Sequence, residues 1–203
     1  MAIEHIFFDI GNVLLALDWE KAVKEIGNRS AIALDQIPYR LYESRIDEYE
    51  RGRITTEQFF ADLQAKLGYQ GGLHELVLAA SDIFFPLERN VDLARTLRNR
   101  YRLGIISNIN PAHVEFLEGR YDFFSLFETR VYSCEVGSRK PESRIFEQAL
   151  RALDASAHSS LFIDDLEQNV AAARKLGWSA IRALPGTDLR SEMLRIGVTT
   201  TAP

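Results

Sequence analysis

Three acidic residues occupy positions where acids are costly. Asp9 lies between the apolar runs Ile6-Phe7-Phe8 and Val13-Leu14-Leu15, and Asp164-Asp165 follow Leu161-Phe162-Ile163. A carboxylate in such surroundings needs a partner charge, a metal ion or the exposed end of a strand. Two other stretches offer complements: Ser107-Asn108 after Gly104-Ile105-Ile106, and Ser138-Arg139-Lys140 just before Pro141. Three carboxylates brought together repel unless a cation lies among them. Oxygen donors without His or Cys favour Mg2+, held by one or two carboxylates and a substrate phosphate. A hydroxyl, a backbone amide and an ammonium would hold the phosphate's other oxygens. Phosphoryl transfer needs in-line positioning and neutralised charge more than acid–base chemistry. A carboxylate aimed at phosphorus can act as nucleophile, giving an aspartyl-phosphate that water hydrolyses.

These residues meet only if the elements carrying them end on one rim. The apolar runs at 3–10, 103–106, 129–134, 160–163 and 179–184 predict five strands, four of them near-continuous in apolar residues, as strands covered on both faces are. Helical patterns separate them. Leu93, Ala94, Leu97 and Tyr101 share a face, and Ile145, Phe146, Ala149, Leu150 and Leu153 follow Pro141, which suits a first turn. The segment 166–176 is closed by Gly177. Strand and helix in alternation predict an α/β fold, a three-layer Rossmann-like parallel sheet. Ligands of such sheets bind at the carboxyl ends of the strands. A strand-end Asp often caps a helix, and a Ser-Asn pair often makes a turn. Four polar strand ends on one rim argue for a site instead.

One segment interrupts the alternation. Residues 17–86 contain no convincing strand but four amphipathic helical patterns, at 19–26, 37–46, 56–67 and 73–83. The third opens with Thr55-Thr56-Glu57-Gln58, a capping box with Thr55 as N-cap. The expected division is a catalytic core of 1–16 and 87–203 carrying a helical cap at 17–86.

Bulk properties exclude several classes. The 203 residues are 46% hydrophobic and 26% charged, as in globular proteins rather than disordered ones. A net charge of −5 supplies no basic field for nucleic acid. A single cysteine, Cys134, leaves no internal disulfide or cysteine zinc cage. No apolar run reaches membrane-spanning length. The start MAIEHIFFD carries acid rather than base and leads at once into a strand, so the expectation is a cytoplasmic protein without a secretion signal.

The motifs resemble those of the haloacid dehalogenase superfamily: FFDIGNVLL its first, GIISN its second, SRKPES its third and LFIDDLEQN its fourth, in order from Ile6 to Asn169. The helical insert lies where subclass I members carry a C1 cap. The resemblance implies that Asp9 is the nucleophile and a Mg2+ ligand, with Gly11 offering its carbonyl to the metal. It implies that Ser107 and the amide of Asn108 bind the phosphoryl group, and that Lys140 neutralises it and Asp9. Asp164 would ligate Mg2+ directly, and Asp165 directly or through water.

One departure matters. Phosphatases of this superfamily usually carry an aspartate two residues after the nucleophile, as general acid and base; here that residue is Gly11. One reading of Gly11 is tight backbone geometry. The functional reading is a missing acid, a contribution of about 10²–10⁴-fold. Either the leaving group departs easily, as an anomeric sugar oxygen does, or another residue supplies the proton, or the activity is vestigial. The DxGNV pattern with Asp164-Asp165 resembles the subgroup containing glucose-1-phosphate phosphatases.

The expected activity is therefore a Mg2+-dependent phosphatase of small phosphorylated metabolites, such as a hexose 1-phosphate; the sequence leaves the oligomeric state open, with a monomer slightly favoured. The alternatives are a 2-haloacid dehalogenase, which needs neither metal nor an acid at Gly11 but lacks an adjacent acidic pair, and a non-catalytic phosphate-binding relative. The four histidines share no ligand spacing, although His113 is near Asn108. Residues 47–53 are expected to form a solvated turn, or to turn Arg51 or Arg53 toward the cleft. Asn169 is expected to orient the acidic loop, and Trp19, Phe59, Phe60 and Trp178 to pack.

Overall fold

The five apolar runs form five strands of one parallel sheet in the computed structural model, which describes residues 2–42 and 45–200. The chain begins with β1 (His5–Phe8) and β2 (Leu15–Leu17), then α1 (Trp19–Gly27), α2 (Ile37–Tyr42), α3 (Ile46–Glu50), α4 (Thr56–Leu67) and α5 (Leu73–Ser81). It returns through β3 (Phe84–Pro86), α6 (Glu88–Leu97), β4 (Arg102–Ser107), α7 (Pro111–Arg120), β5 (Thr129–Tyr132) and α8 (Ser133–Val136). It closes with α9 (Ser143–Ala152), β6 (Ser160–Asp164), α10 (Glu167–Lys175), β7 (Ser179–Arg182) and α11 (Leu189–Arg195).

The sheet order is β5-β4-β1-β6-β7, with every pair parallel. Two apolar clusters cover its two faces. Ile6 and Phe8 of β1 pack on one side with Val91, Leu97 and Leu117 of α6 and α7. Phe7 packs on the other with Ile145, Phe146 and Ala149 of α9, Phe162 and Trp178. Alternation of side chains along β1 thus feeds two cores, the basis of the three layers.

Register brings the polar strand ends to one rim. Phe8 pairs with Ile105 on one side and Ile163 on the other. Asp9 therefore emerges level with Asp164, with Ser107 one residue beyond. The Asp9 N–H still donates to the Ile163 carbonyl at 2.9 Å, which fixes that level.

Local signals set the helix ends. Asp18 accepts from the Lys21 N–H at 2.9 Å to start α1. The Thr55–Gln58 capping box forms as predicted, with Thr55 accepting from Gln58 at 3.1 Å and Gln58 accepting from Thr55 at 3.0 Å. Gly177, at φ 89°, follows the last turn after α10.

Several expectations require correction. The 17–86 segment is bracketed by a short antiparallel ribbon, β2 with β3, pairing Leu15 with Pro86 and Leu17 with Phe84. Three residues per strand are too few to show periodicity. The helix expected at 37–46 is described over Ile37–Tyr42, residues 43 and 44 of that expectation lie outside the described residues, and Ile46 belongs to α3. The turn expected at 47–53 is helical through Glu50, because Tyr49 is fully buried and stacks on Phe59 at 4.4 Å. The strand expected to reach 134 stops at Tyr132, where α8 begins, and α9 begins at Ser143 rather than at Pro141. Trp178 packs as expected, but Trp19 is 52% exposed and is not a core residue.

Candidate active site

Asp9 is 8% exposed, and three donors hold its Oδ1. The Ile10 N–H donates at 2.7 Å, the Ser107 hydroxyl at 2.8 Å, and the Lys140 ammonium lies 2.8 Å away. Oδ2 has no hydrogen-bond partner among the described residues. Burial raises the Asp9 pKa to about 6; Lys140 opposes the rise and Asp164 adds to it.

Lys140 is 3% exposed and bridges two carboxylates. It donates to Asp164 Oδ2 at 2.6 Å and to the Ile106 carbonyl at 3.0 Å, and its charge sits over the Phe162 ring at 5.4 Å. Burial alone would depress the Lys140 pKa, but Asp9 and Asp164 outweigh it and hold the group above its ordinary value. Asn108 fixes the lysine's backbone: its amide donates to the Lys140 carbonyl at 2.9 Å, and its side-chain oxygen accepts from the Lys140 N–H at 2.7 Å.

Asp164 is fully buried and saturated. Besides Lys140 it accepts from the Leu166 N–H at 2.8 Å, and the Asn169 Nδ2 donates to both of its oxygens, at 3.0 and 3.1 Å. Asn169 orients the acidic loop, as expected from its place one turn into α10. Asp165 is only partly buried, and its Oδ2 accepts from Asn12 at 2.9 Å. Sequence reasoning missed Asn12. Its signal was an asparagine in a tight turn: Asn12 has φ 53°, and its N–H reaches the Leu15 carbonyl at 2.7 Å.

Oxygens of Asp9, Asp164 and Asp165 lie within 4.8 Å of one another. All three donors are carboxylates and no His or Cys joins the group among the described residues, a set that fits Mg2+.

Gly11 begins the turn beside Asp9. Its backbone does not require glycine: φ is not positive, and a Cβ there would meet only Leu17 Cδ1, at 3.4 Å. The tight-geometry reading is thereby corrected, since the left-handed residue is Asn12.

The cleft between sheet rim and helices α1–α5 is a cavity of about 510 Å³ whose lining includes Gly11, Ser107 and Asn108. His113 borders it, with its Nε2 at 3.0 Å from the Ala80 carbonyl; burial lowers its pKa to about 4, so it is neutral at pH 7. Arg51 does not face the cleft. It pairs with Asp47 at 2.9 Å and with Glu142 at 2.7 Å, which pulls the Glu142 pKa down to about 2. Its neighbour in this network, Arg139, lies 2.7 Å from Asp47 and 2.7 Å from Glu50. The residues flanking Lys140 are thus tied to α3.

The site is thus a buried aspartate at the end of the central strand of a parallel sheet, with a lysine against it and an acidic pair at the end of the next strand. The family model for haloacid dehalogenase-like hydrolases matches residues 3–177, and the chain belongs to that family. It is 25% identical over 199 residues to D-ribitol-5-phosphate phosphatase of Bacteroides thetaiotaomicron, covering 94% of this chain and 97% of that one. It is 25% identical over 172 residues to a sesquiterpene phosphatase of Aspergillus oryzae, covering 84% of each. A solved structure of a family enzyme from Bacteroides thetaiotaomicron, in complex with magnesium and inorganic phosphate, shares the fold at TM-score 0.84 with 24% identity over 94% of this chain and 99% of that one.

Proposed function

We propose that the protein is a Mg2+-dependent phosphatase of small phosphorylated metabolites, acting through an aspartyl-phosphate on Asp9. The observation that carries this reading is Lys140 bridging Asp9 and Asp164 beside the third carboxylate, Asp165. Three clustered carboxylates, two of them buried, with one lysine have two negative charges to spare, which suits a divalent cation. Asp9, Asp164, Asp165 and the Gly11 carbonyl are the groups that would hold Mg2+. When bound, the ion would neutralise charge on the carboxylates and on the phosphoryl oxygens.

Asp9 attacks phosphorus, forming the acyl-phosphate bond as the ester P–O bond breaks. The bonding pair leaves on the alcohol oxygen, which takes a proton from water because Gly11 has no side chain to supply one. The Ser107 hydroxyl, now on Asp9, and the Asn108 backbone amide would bind the transferring group, with Lys140 balancing its charge. Water then attacks phosphorus, releasing phosphate and the free carboxylate. Residues 1–16 and 87–203 act as the catalytic core and 17–86 as the cap that excludes water during transfer.

The acidic pair weighs against the dehalogenase alternative. The relatives' named substrates range from a polyol phosphate to a sesquiterpene phosphate, so membership alone leaves the alcohol open. A hexose 1-phosphate has the missing acid at Gly11 in its favour. The test is phosphate release from a panel of monoesters, with and without Mg2+, for wild type and Asp9→Asn. Metal-independent release, or an undiminished Asn variant, would end the proposal.

A further inference from the structure

The cleft next to Ser107 is far less polar than a sugar or polyol site would be. Its walls are Leu17, Val23, Ile26, Phe59 and Phe60 from the ribbon and helices α1 and α4, with Trp19, half-exposed, also lining it. Recognition of a polyol requires side-chain donors and acceptors that remain available to hydroxyls, since each buried hydroxyl left unpaired costs affinity.

The uncharged polar side chains at these walls are already committed. Ser107 donates to Asp9, and both ends of the Asn108 amide are taken by the Lys140 backbone. Asn110 accepts from the His113 N–H at 2.9 Å and contacts His113 Nδ1 at 3.2 Å, while His113 Nε2 is taken by the Ala80 carbonyl. Glu50 is the one charged side chain among the described residues of the lining; Arg139 lies 2.7 Å from its Oε2 as an ion pair without an aligned hydrogen bond. Ser107 is the group nearest the reaction, and the proposed mechanism assigns it to the phosphoryl oxygens. The remaining wall offers contact area rather than hydrogen bonds.

We infer that the chamber takes an apolar alcohol moiety, so that the substrates are phosphate monoesters of hydrocarbon-like or aromatic alcohols rather than of sugars or polyols. This rests on the phosphatase reading above and names the substrate class of that same site. At about 510 Å³ the chamber falls within the ~300–1,000 Å³ of sites for organic ligands. The reaction is R–O–PO3 plus water giving R–OH plus phosphate, with the P–O bond cleaved and the proton on the alcohol drawn from water. The apolar wall binds R.

The test uses wild-type protein with Mg2+ and straight-chain alkyl phosphates from ethyl to octyl, kept below micelle-forming concentrations. Ribitol 5-phosphate and glucose 1-phosphate serve as hydroxylated comparators, and 4-nitrophenyl phosphate as an activated ester. Simple alkyl leaving groups from ethyl upward differ little in basicity, so chain length reports binding of R. The expected result is a kcat/KM that climbs about two- to fourfold per methylene until the chamber is filled. Both hydroxylated esters should fall at least tenfold below octyl phosphate. Alkylphosphonates, which are not hydrolysed, should inhibit with Ki falling along the same series. Turnover of 4-nitrophenyl phosphate with a flat alkyl series, or a preference for either hydroxylated ester, overturns this inference and leaves the phosphatase reading standing. No turnover of any ester, 4-nitrophenyl phosphate included, overturns both.

Discussion

The Lys140 ammonium lies 2.8 Å from Asp9 Oδ1 and 2.6 Å from Asp164 Oδ2, with all three side chains nearly or fully buried. One cation therefore serves two acids from neighbouring strands, and its removal leaves two like charges facing each other in a poorly solvated site. Breaking a buried pair by deleting one partner typically costs about 3–5 kcal/mol. Lys140→Met should lower stability by an amount in that range and phosphatase rate by about 10²–10³-fold, the loss seen when a donor to developing charge is removed. Denaturant melts with and without Mg2+ separate the two effects, because the ion should recover part of the stability and little of the rate.

Asp9 must be ionised to attack phosphorus, and its pKa is raised to about 6 by burial. The rate should therefore fall as pH drops below about 6. Mg2+ binds the ionised form, so raising its concentration should move this acid limb to lower pH. For stability the sign is opposite: a carboxyl raised from 3.8 to about 6 gives stability that is complete below 3.8 and lost as pH rises through 6. Mg2+ should offset that loss, raising the melting temperature more at pH 7.5 than at pH 5. Equal stabilisation at both values would contradict the assignment.

Gly11→Asp should fold, since the backbone there is ordinary and the new Cβ would touch only Leu17 Cδ1 at 3.4 Å. If the missing side chain limits leaving-group departure, this variant should accelerate esters of basic alcohols by about 10²-fold and leave activated esters almost unchanged, at the low end of general-acid effects. The slope of log kcat/KM against leaving-group pKa should become shallower. An unchanged slope would point to another proton donor already in place.

Gly52 sits where the chain leaves α3, at φ 65°, and a Cβ there would lie 2.0 Å from the Cys134 carbonyl oxygen. Because backbone cannot yield as a flexible side chain can, Gly52→Ala should cost about 1–3 kcal/mol. It should also disturb the Arg51–Glu142 and Arg139–Asp47 pairs that tie α3 to the residues around Lys140. Urea unfolding measures the first effect. KM for a phosphate ester, rising while the Asp9 acid limb stays put, measures the second.

The parts legible in the sequence were those written over short distances. The inner strands β1, β4 and β6 were visible as runs of Ile, Leu and Phe, because both their faces are covered, whereas the edge strands β5 and β7 carry the exposed Arg130 and Arg182. Thr55 and Gln58 announced a helix start within four residues. Asp9, Ser107 and Asp164 stood out because each closes an apolar run at the carboxyl end of a strand, and Lys140 only as a basic residue just before Pro141. The two-strand ribbon was missed because three residues carry no period, and α3 because Tyr49 is buried by contacts from α4 and α7 rather than by its own pattern. The Ala112 N–H of α7 donates to the Tyr49 hydroxyl at 3.1 Å, across 63 residues of sequence.

The sequence by itself determined the order of strands and helices and the kinds of groups at the strand ends, since hydropathy and capping act between near neighbours. Only the tertiary structure decided that Asn12 meets Asp165 across 153 residues, that Arg139 reaches Asp47 across 92, and that the wall beside Ser107 is hydrocarbon. A chamber is the space left when distant elements pack, and no local pattern encodes the shape or polarity of that remainder.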